Sequence, residues 1–558
     1  MKKYFFVAVI LIVIHDLPVS AQNEFSLHLM PQFTGPAGSE NFEPGFGARA
    51  FLDWGFLQLP RSMGLGLSLG GGFSQLGTAD GSKFSLYEAA LGPFFRRRVM
   101  DRLTLRGDIS AGVYNYRWND DSNSRIRFGG SFSAYFHLLP SVSLFASGGY
   151  IHYAFSENRP LNTITAGLGL SLNLGELLRP EARVRGEKTE QQRVFPVSYA
   201  WYEKNSIAMV KITNNEPNSI TDISLTFFLE RYMKEGMVFA VLPRLLPGES
   251  AEVPVTALFN ESMLDLTENA NSNANVLIDY RSLGAKKQAS FPVQMPIYHR
   301  NAFAWDDDRR AASFVSARDP AASLFAKYTA SAVKRYMAAN PGKFGNLPGN
   351  VLLAAALFEA LNLYGINYVI DPASSYVEMA EDASALDSLN YPYQTLMYRG
   401  GDCDDLSILF CSLLEVLEID TAFITIPGHI YCAFDTGTPE RDEEKEGEEG
   451  EGWRTEGLIE HEGRYWMPVE LTVPGEGFAE AWRIGLREWR RFAPQTVSKF
   501  SQNENSSGTL PPLRAIYPMR ESWDLYQPVS VPGAGDRLPA MPDEWEILQR
   551  FEESAEKL

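Results

Sequence analysis

The chain has 558 residues, a net charge of −19 and a hydrophobic fraction of 45 %. That length supports several domains, and the acidity excludes nucleic-acid binding, which needs a basic surface. Only three cysteines occur, without a CxxC pair, which argues against structural zinc.

The first element is a secretory signal peptide over residues 1–21: Met1-Lys2-Lys3, the apolar run Tyr4–Ile14, then Pro18-Val19-Ser20-Ala21 with cleavage after Ala21. No cysteine follows it for lipid attachment, and no later segment reaches the roughly 18–20 consecutive apolar residues of a membrane helix. Residues 22–176 alternate with a period of two. Leu65, Leu67 and Leu69 alternate with glycine and serine, and Leu103, Leu105, Ile109 and Val113 with Thr104, Arg106, Asp108 and Ser110. Ile164 to Leu174 repeats the pattern against Thr165, Gly167, Gly169 and Ser171. Eight candidate strands lie near 24–34, 44–54, 62–76, 83–96, 101–118, 123–138, 141–155 and 163–175. Alternation alone gives the same period for a soluble barrel with its apolar face inward. Small and charged residues on the minority face, with polar loops at alternate connections, favour an apolar lipid-facing wall around a polar lumen.

This region resembles the small eight-stranded outer-membrane β-barrels. The resemblance implies outer-membrane lipid as a partner, with aromatic girdles from Tyr114, Tyr116, Trp118, Tyr150 and Tyr153. An even strand number brings both ends to one side, so everything after Glu176 is expected in the periplasm. A lumen of this size is about filled by side chains, which makes an anchor rather than a transport pore.

Residues 177–193 read as a charged linker, and residues 194–299 as a β-sandwich of immunoglobulin-like kind. Its expected strands are Ser206–Thr213, Ile220–Leu229, Ala251–Val255, Asn275–Tyr280 and Ala289–Gln294. Residues 300–495 read as an α+β domain: helices to Tyr336 and over Val351–Leu363, then a helix from Cys403 and an antiparallel sheet. Asp306-Asp307-Asp308 reads as a helix start rather than a cation site. Glu440–Glu451 is an acidic loop, Phe478–Phe492 an amphipathic helix, and 496–558 an extended Pro-rich tail ending in a short acidic helix.

The chemistry is concentrated in that α+β domain. Gly401-Asp402-Cys403-Asp404-Asp405 opens an apolar helix, Pro427-Gly428-His429 opens a strand, and Glu470 ends a second strand. A nucleophile, a base and an orienting acid follow one another in that order. A thiol attacks as thiolate, and a helix N-terminus and an imidazolium both stabilise that anion. Asp402 is the expected N-cap, with Asp405 completing a capping box. The Cys403 N–H is a natural oxyanion donor and Gln394 a second candidate. Asp435 competes with Glu470 for the acid role, but six residues along a strand is roughly 20 Å, too far from His429. Glu470 reaches His429 from a neighbouring antiparallel strand. Cys411 reads as core, and Cys432 points away from the imidazole face; a Cys411–Cys432 bridge would leave Cys403 free.

The order and the wording W-x-P-x-E-x-T at Trp466, Pro468, Glu470 and Thr472 resemble the transglutaminase-like cysteine peptidase superfamily, with its papain-like folds. Most members place Asp where this chain has Glu470. The resemblance implies a hydrolase (protease or amidase) or a transamidase acting on periplasmic proteins or wall peptides through Cys403, His429 and Glu470. No metal or cofactor motif accompanies it. The alternative is a non-catalytic outer-membrane adaptor that binds peptides through a degenerate copy of the domain. The oligomeric state is not legible.

Overall fold

The computed structural model describes residues 24–38, 41–59, 63–119, 121–154, 161–178, 182–370, 386–438, 457–492, 514–533 and 540–558. The signal peptide, the acidic run Glu440–Glu451 and part of the Pro-rich tail lie outside them.

Strands β1 (Glu24–Pro36), β2 (Phe42–Leu59), β3 (Met63–Thr78), β4 (Lys83–Met100), β5 (Leu103–Trp118), β6 (Asp121–Leu139), β7 (Val142–Tyr153) and β8 (Leu161–Asn173) form a closed antiparallel barrel in sequence order. β1 pairs with β8 to close it. The alternating pattern is now oriented. Ile109 and Leu168 are 68 % and 73 % exposed on the outer wall, whereas Asp53 and Arg127 are 4 % and 1 % exposed inside. A wall with this distribution requires lipid as its solvent, because a water-soluble barrel has the opposite one.

Charge networks fill the lumen. Arg106 donates to both oxygens of Asp53, at 2.7 and 3.0 Å, and also pairs with Asp108. Arg127 lies 3.0 Å from Glu88, which accepts from the Tyr153 hydroxyl at 3.0 Å. The expected aromatic girdle is largely corrected: Tyr114 and Tyr153 are buried inside, and Tyr116 and Trp118 pack on the same internal cluster with Leu76 and Phe84. These aromatics sit at lumen-facing positions of their strands, so strand parity sends them inward. Tyr150 alone of the five is on the outer wall, 49 % exposed.

After the short helix α1 (Leu174–Leu178) comes β9 (Val184–Gln191), within the segment expected to be linker. It pairs with β10 (Ala208–Asn214). Its charged sequence, with Val184 its one buried residue, suits an edge strand and hides it from a hydrophobic pattern. β11 (Ile220–Phe228), β12 (Met237–Leu245), β13 (Ser250–Val255), β14 (Ala270–Ser282) and β15 (Ala285–Ile297) follow. Sheets ordered β13-β10-β9 and β12-β11-β14-β15 enclose one apolar core, giving a β-sandwich. β12 was not expected from the sequence; it contains Pro243, which an edge strand tolerates.

The sandwich covers the barrel end through which the chain leaves. Asp101, in the β4–β5 turn, accepts from the Ser219 N–H at 3.2 Å and pairs with Arg244 at 3.1 Å. Lys287 bridges Glu176 and Glu216 at 3.0 and 3.1 Å.

The C-terminal domain contains β16 (Ala302–Phe303), α2 (Pro320–Ala339), α3 (Gly349–Tyr364), β17 (Asn367–Tyr368), β18 (Asp387–Ser388), α4 (Pro392–Tyr398), β19 (Gly400–Gly401) and α5 (Cys403–Val416). β20 (Thr421–Ile426), β21 (His429–Asp435), β22 (Ile459–His461), β23 (Arg464–Val469), α6 (Phe478–Arg491), β24 (Ala515–Pro518), α7 (Met519–Leu525) and α8 (Glu544–Ala555) complete it. The sheet order is β22-β23-β21-β20-β24, and α5 is buried along nearly its whole length.

The tail is corrected too. β24 adds a strand beside β20, and α8 buries Ile547 and Phe551 against the domain. Asp306–Asp308 is a helix start: Asp307 caps through the Arg309 N–H, and Asp306 pairs with Arg310 at 2.8 Å.

Candidate active site

Cys403 is the first residue of α5. Asp402 caps that helix by accepting from the Asp405 N–H, at 3.4 Å. As a first-turn residue Cys403 has no intrahelical acceptor for its own N–H, which leaves that donor for a developing oxyanion. The expected capping box does not form. The Asp405 carboxylate instead holds the preceding loop, accepting from the Asn390 N–H and side-chain amide at 2.6 Å each. Gly401 is required here, since a Cβ would stand 2.5 Å from the Asp405 Cβ.

His429 opens β21 directly after the two-residue turn Pro427-Gly428, in which Gly428 has φ 72°. That positive φ favours glycine, and the turn fixes the imidazole at the strand's edge. The antiparallel pairing Cys432↔Val469 sets Glu470 diagonally across from His429. His429 Nε2 donates to Glu470 Oε2 at 2.7 Å. The other Glu470 oxygen accepts from the Thr472 N–H at 2.9 Å and hydroxyl at 2.7 Å. With Nε2 given to Glu470, Nδ1 is the ring nitrogen left for the Cys403 thiol, whose influence on the ring favours its charged form.

Burial works against charge on His429, but hydrogen bonds and negative charge from Cys403 and Glu470 overcome it and raise the pKa to about 10. Burial likewise opposes ionisation of Glu470. The imidazole and the two Thr472 donors outweigh it and hold the carboxyl below its ordinary range. Both shifts favour an ion pair.

α6 buttresses the acid from behind. The Glu470 N–H donates to the Ala481 carbonyl at 3.1 Å, and a Cβ at Gly485 would lie 3.1 Å from Pro468. A side chain there would push helix and strand apart by a few tenths of an ångström.

Three of the four candidate residues therefore come together: Cys403, His429 and Glu470. Gln394 does not join them through its contacts. Its amide oxygen accepts from the Tyr391 N–H at 2.9 Å and from Asn301 at 2.7 Å, closing the α4 cap. Asp435 accepts from the Gly437 N–H instead. Cys411 and Cys432 are buried free thiols. Thr472 was legible only as part of a motif; its hydroxyl position two residues past the acid was the available signal.

The carboxyls of Asp402, Asp404 and Asp405 gather within 4.8 Å of one another. Burial, reinforced by Asp402, pushes the Asp404 carboxyl well up and Asp405 up to about 7. The group thus carries fewer charges beside Cys403 than its composition suggests.

No family model and no curated protein matches this chain. Among solved structures, it is similar to Neisserial surface protein A at 10 % identity and a TM-score of 0.22, over 28 % of this chain and 100 % of that one. Similarity to Ail, the attachment invasion locus protein of Yersinia pestis, is 18 % identity with a TM-score of 0.20, over 27 % and 97 % of the two chains. The N-terminal β-barrel domain of Pseudomonas aeruginosa OprF matches at 14 % identity and 0.18, over 27 % of this chain and 100 % of its own. Each covers little more than a quarter of this chain, and the part concerned is the N-terminal eight-stranded barrel, which resembles small outer-membrane barrels.

Proposed function

We propose that the chain is an outer-membrane-anchored cysteine hydrolase of transglutaminase-like type, acting on amide bonds of periplasmic proteins or wall peptides. The observation that carries it is the meeting of Cys403, at a helix N-terminus, with an imidazole that Glu470 holds at 2.7 Å. The inside-out barrel supports the membrane anchor, and its even strand number puts the sandwich and catalytic domain together on one face, taken here as periplasmic. The sandwich, with sheets of three and four strands, is read as an immunoglobulin-like spacer.

In this mechanism the thiol proton already rests on His429 Nδ1, and the sulfur attacks the amide carbonyl as thiolate. The Cys403 N–H donates to the resulting oxyanion. The imidazolium gives its proton to the leaving amine as the C–N bond breaks, and a thioester remains. Water then attacks, its proton going to His429, and the acid is released with the thiol restored. An amine in place of water gives transamidation with the same residues. Glu470 keeps the ring in one orientation and stabilises its charge. The pH profile of Cys403 alkylation, compared with His429→Ala, tests the pairing. Labelling that is fast below pH 8 and slowed by the substitution is expected; an ordinary thiol curve in both proteins would overturn it.

A further inference from the structure

Beside the candidate nucleophile the surface is unexpectedly apolar. Tyr368, Val369 and Ile370 are 37, 56 and 63 % exposed, and Met397 and Tyr398 are 44 and 64 % exposed. These residues form two short stretches brought together by backbone pairing. β17 runs parallel to β19, with Tyr368 opposite Gly401. The Asn367 N–H donates to the Arg399 carbonyl at 3.0 Å and the Val369 N–H to the Gly401 carbonyl at 2.9 Å. β19 leads through Asp402 straight into Cys403, so the apolar rim is continuous with the site of attack.

Tyr368 joins the two, since its strand partner Gly401 stands two residues before Cys403. The rim therefore offers dispersion and burial to an incoming apolar side chain. Clustered exposed apolar side chains rimmed by polar groups mark binding surfaces rather than ordinary solvent-facing ones.

We propose that this rim, resting on the cysteine-hydrolase reading, selects peptides with a large aliphatic or aromatic residue flanking the scissile amide over those with a small polar one. The experiment uses the full chain in detergent micelles and three reagents read at Cys403 by peptide mass spectrometry. These are iodoacetamide and two peptidyl chloromethyl ketones, which differ only in leucine or serine next to the reactive carbon. The leucine reagent is expected to react at least about ten-fold faster than the serine one, the range for apolar side-chain discrimination. In Ile370→Ser and, as a second exposed site, Tyr398→Ser, that ratio falls toward unity while the iodoacetamide rate is unchanged.

Equal ketone rates in the wild type, with rapid iodoacetamide labelling, would overturn the rim proposal and leave the triad standing. Slow iodoacetamide labelling would remove the triad reading and this inference with it. A dimer that sediments as a monomer only in the Ile370→Ser protein would also overturn it, by assigning the rim to a second copy.

Discussion

Cys403, His429 and Glu470 are separated by 26 and 41 residues in the sequence yet meet in one site, with His429 hydrogen-bonded to Glu470. Their residue types and their positions at element edges were legible because each edge has a local signal: a cap at Asp402, a Pro-Gly turn and a strand end. Gln394 was not legible correctly, since an amide's partners depend on Asn301, distant in sequence and adjacent only in the fold. Thr472 orients Glu470 with two donors, and hydrogen bonds to a charged group contribute about 1.5–3 kcal/mol. Thr472→Val is therefore expected to lower kcat/KM about ten-fold on any substrate found, with a steady-state assay as the check.

The pH dependence of stability has a definite sign. His429 is raised from its ordinary value of 6.5 to about 10, so its stabilising contribution is complete below about pH 6.5 and is lost as the pH climbs through 10. Glu470 is held below its ordinary range, so its contribution is present above about pH 4.5 and is lost as the pH falls through its folded pKa. Melting curves between pH 7 and pH 10 should show a larger fall in Tm for the wild type than for His429→Gln. Equal falls would show that the pair does not form.

At the scale of elements, strands with strict alternation were readable, and the barrel strands appear close to their expected bounds. Edge strands were less so: β9 is charged, β12 carries a proline and β24 lies in a Pro-rich stretch, all features an edge accepts and a hydrophobic pattern misses. The aromatic residues show a related gap, since girdle and lumen positions differ by one step of parity. Helix α8 was expected at the end of an extended tail, but Phe551 is fully buried with Val333, Leu352 and Ala356. Phe551→Ala should cost about 3–5 kcal/mol, measured by chemical denaturation of the full chain. A loss below about 1 kcal/mol would return the helix to the status of a loose tail.

At the scale of the molecule, three folded units are joined rather than strung out. The sandwich closes the barrel's lower mouth through Asp101, Glu176 and Lys287. On its other side, Arg310 of the C-terminal domain lies over the rings of Phe195, Trp201 and Tyr526 at 5.9, 5.6 and 5.5 Å. Phe195 and Val197 belong to the same core as Cys403 and Leu406, so the boundary expected near residue 300 cuts through shared packing. With Arg106, Asp53, Arg127 and Glu88 filling the lumen, planar-bilayer recordings of the intact chain should show no stepwise ion conductance. Reproducible single-channel steps would assign the barrel a transport role instead.

The central claim is the thiol–imidazole pair, and the most direct measurement is the iodoacetamide rate at Cys403 from pH 5 to 9, in the intact chain and in His429→Ala and Glu470→Gln. Rapid labelling already below pH 8, largely lost in His429→Ala and reduced in Glu470→Gln, is the expected result. Slow labelling that rises as for a simple thiol, with the same curve in all three proteins, would contradict it and leave a membrane-anchored binding module.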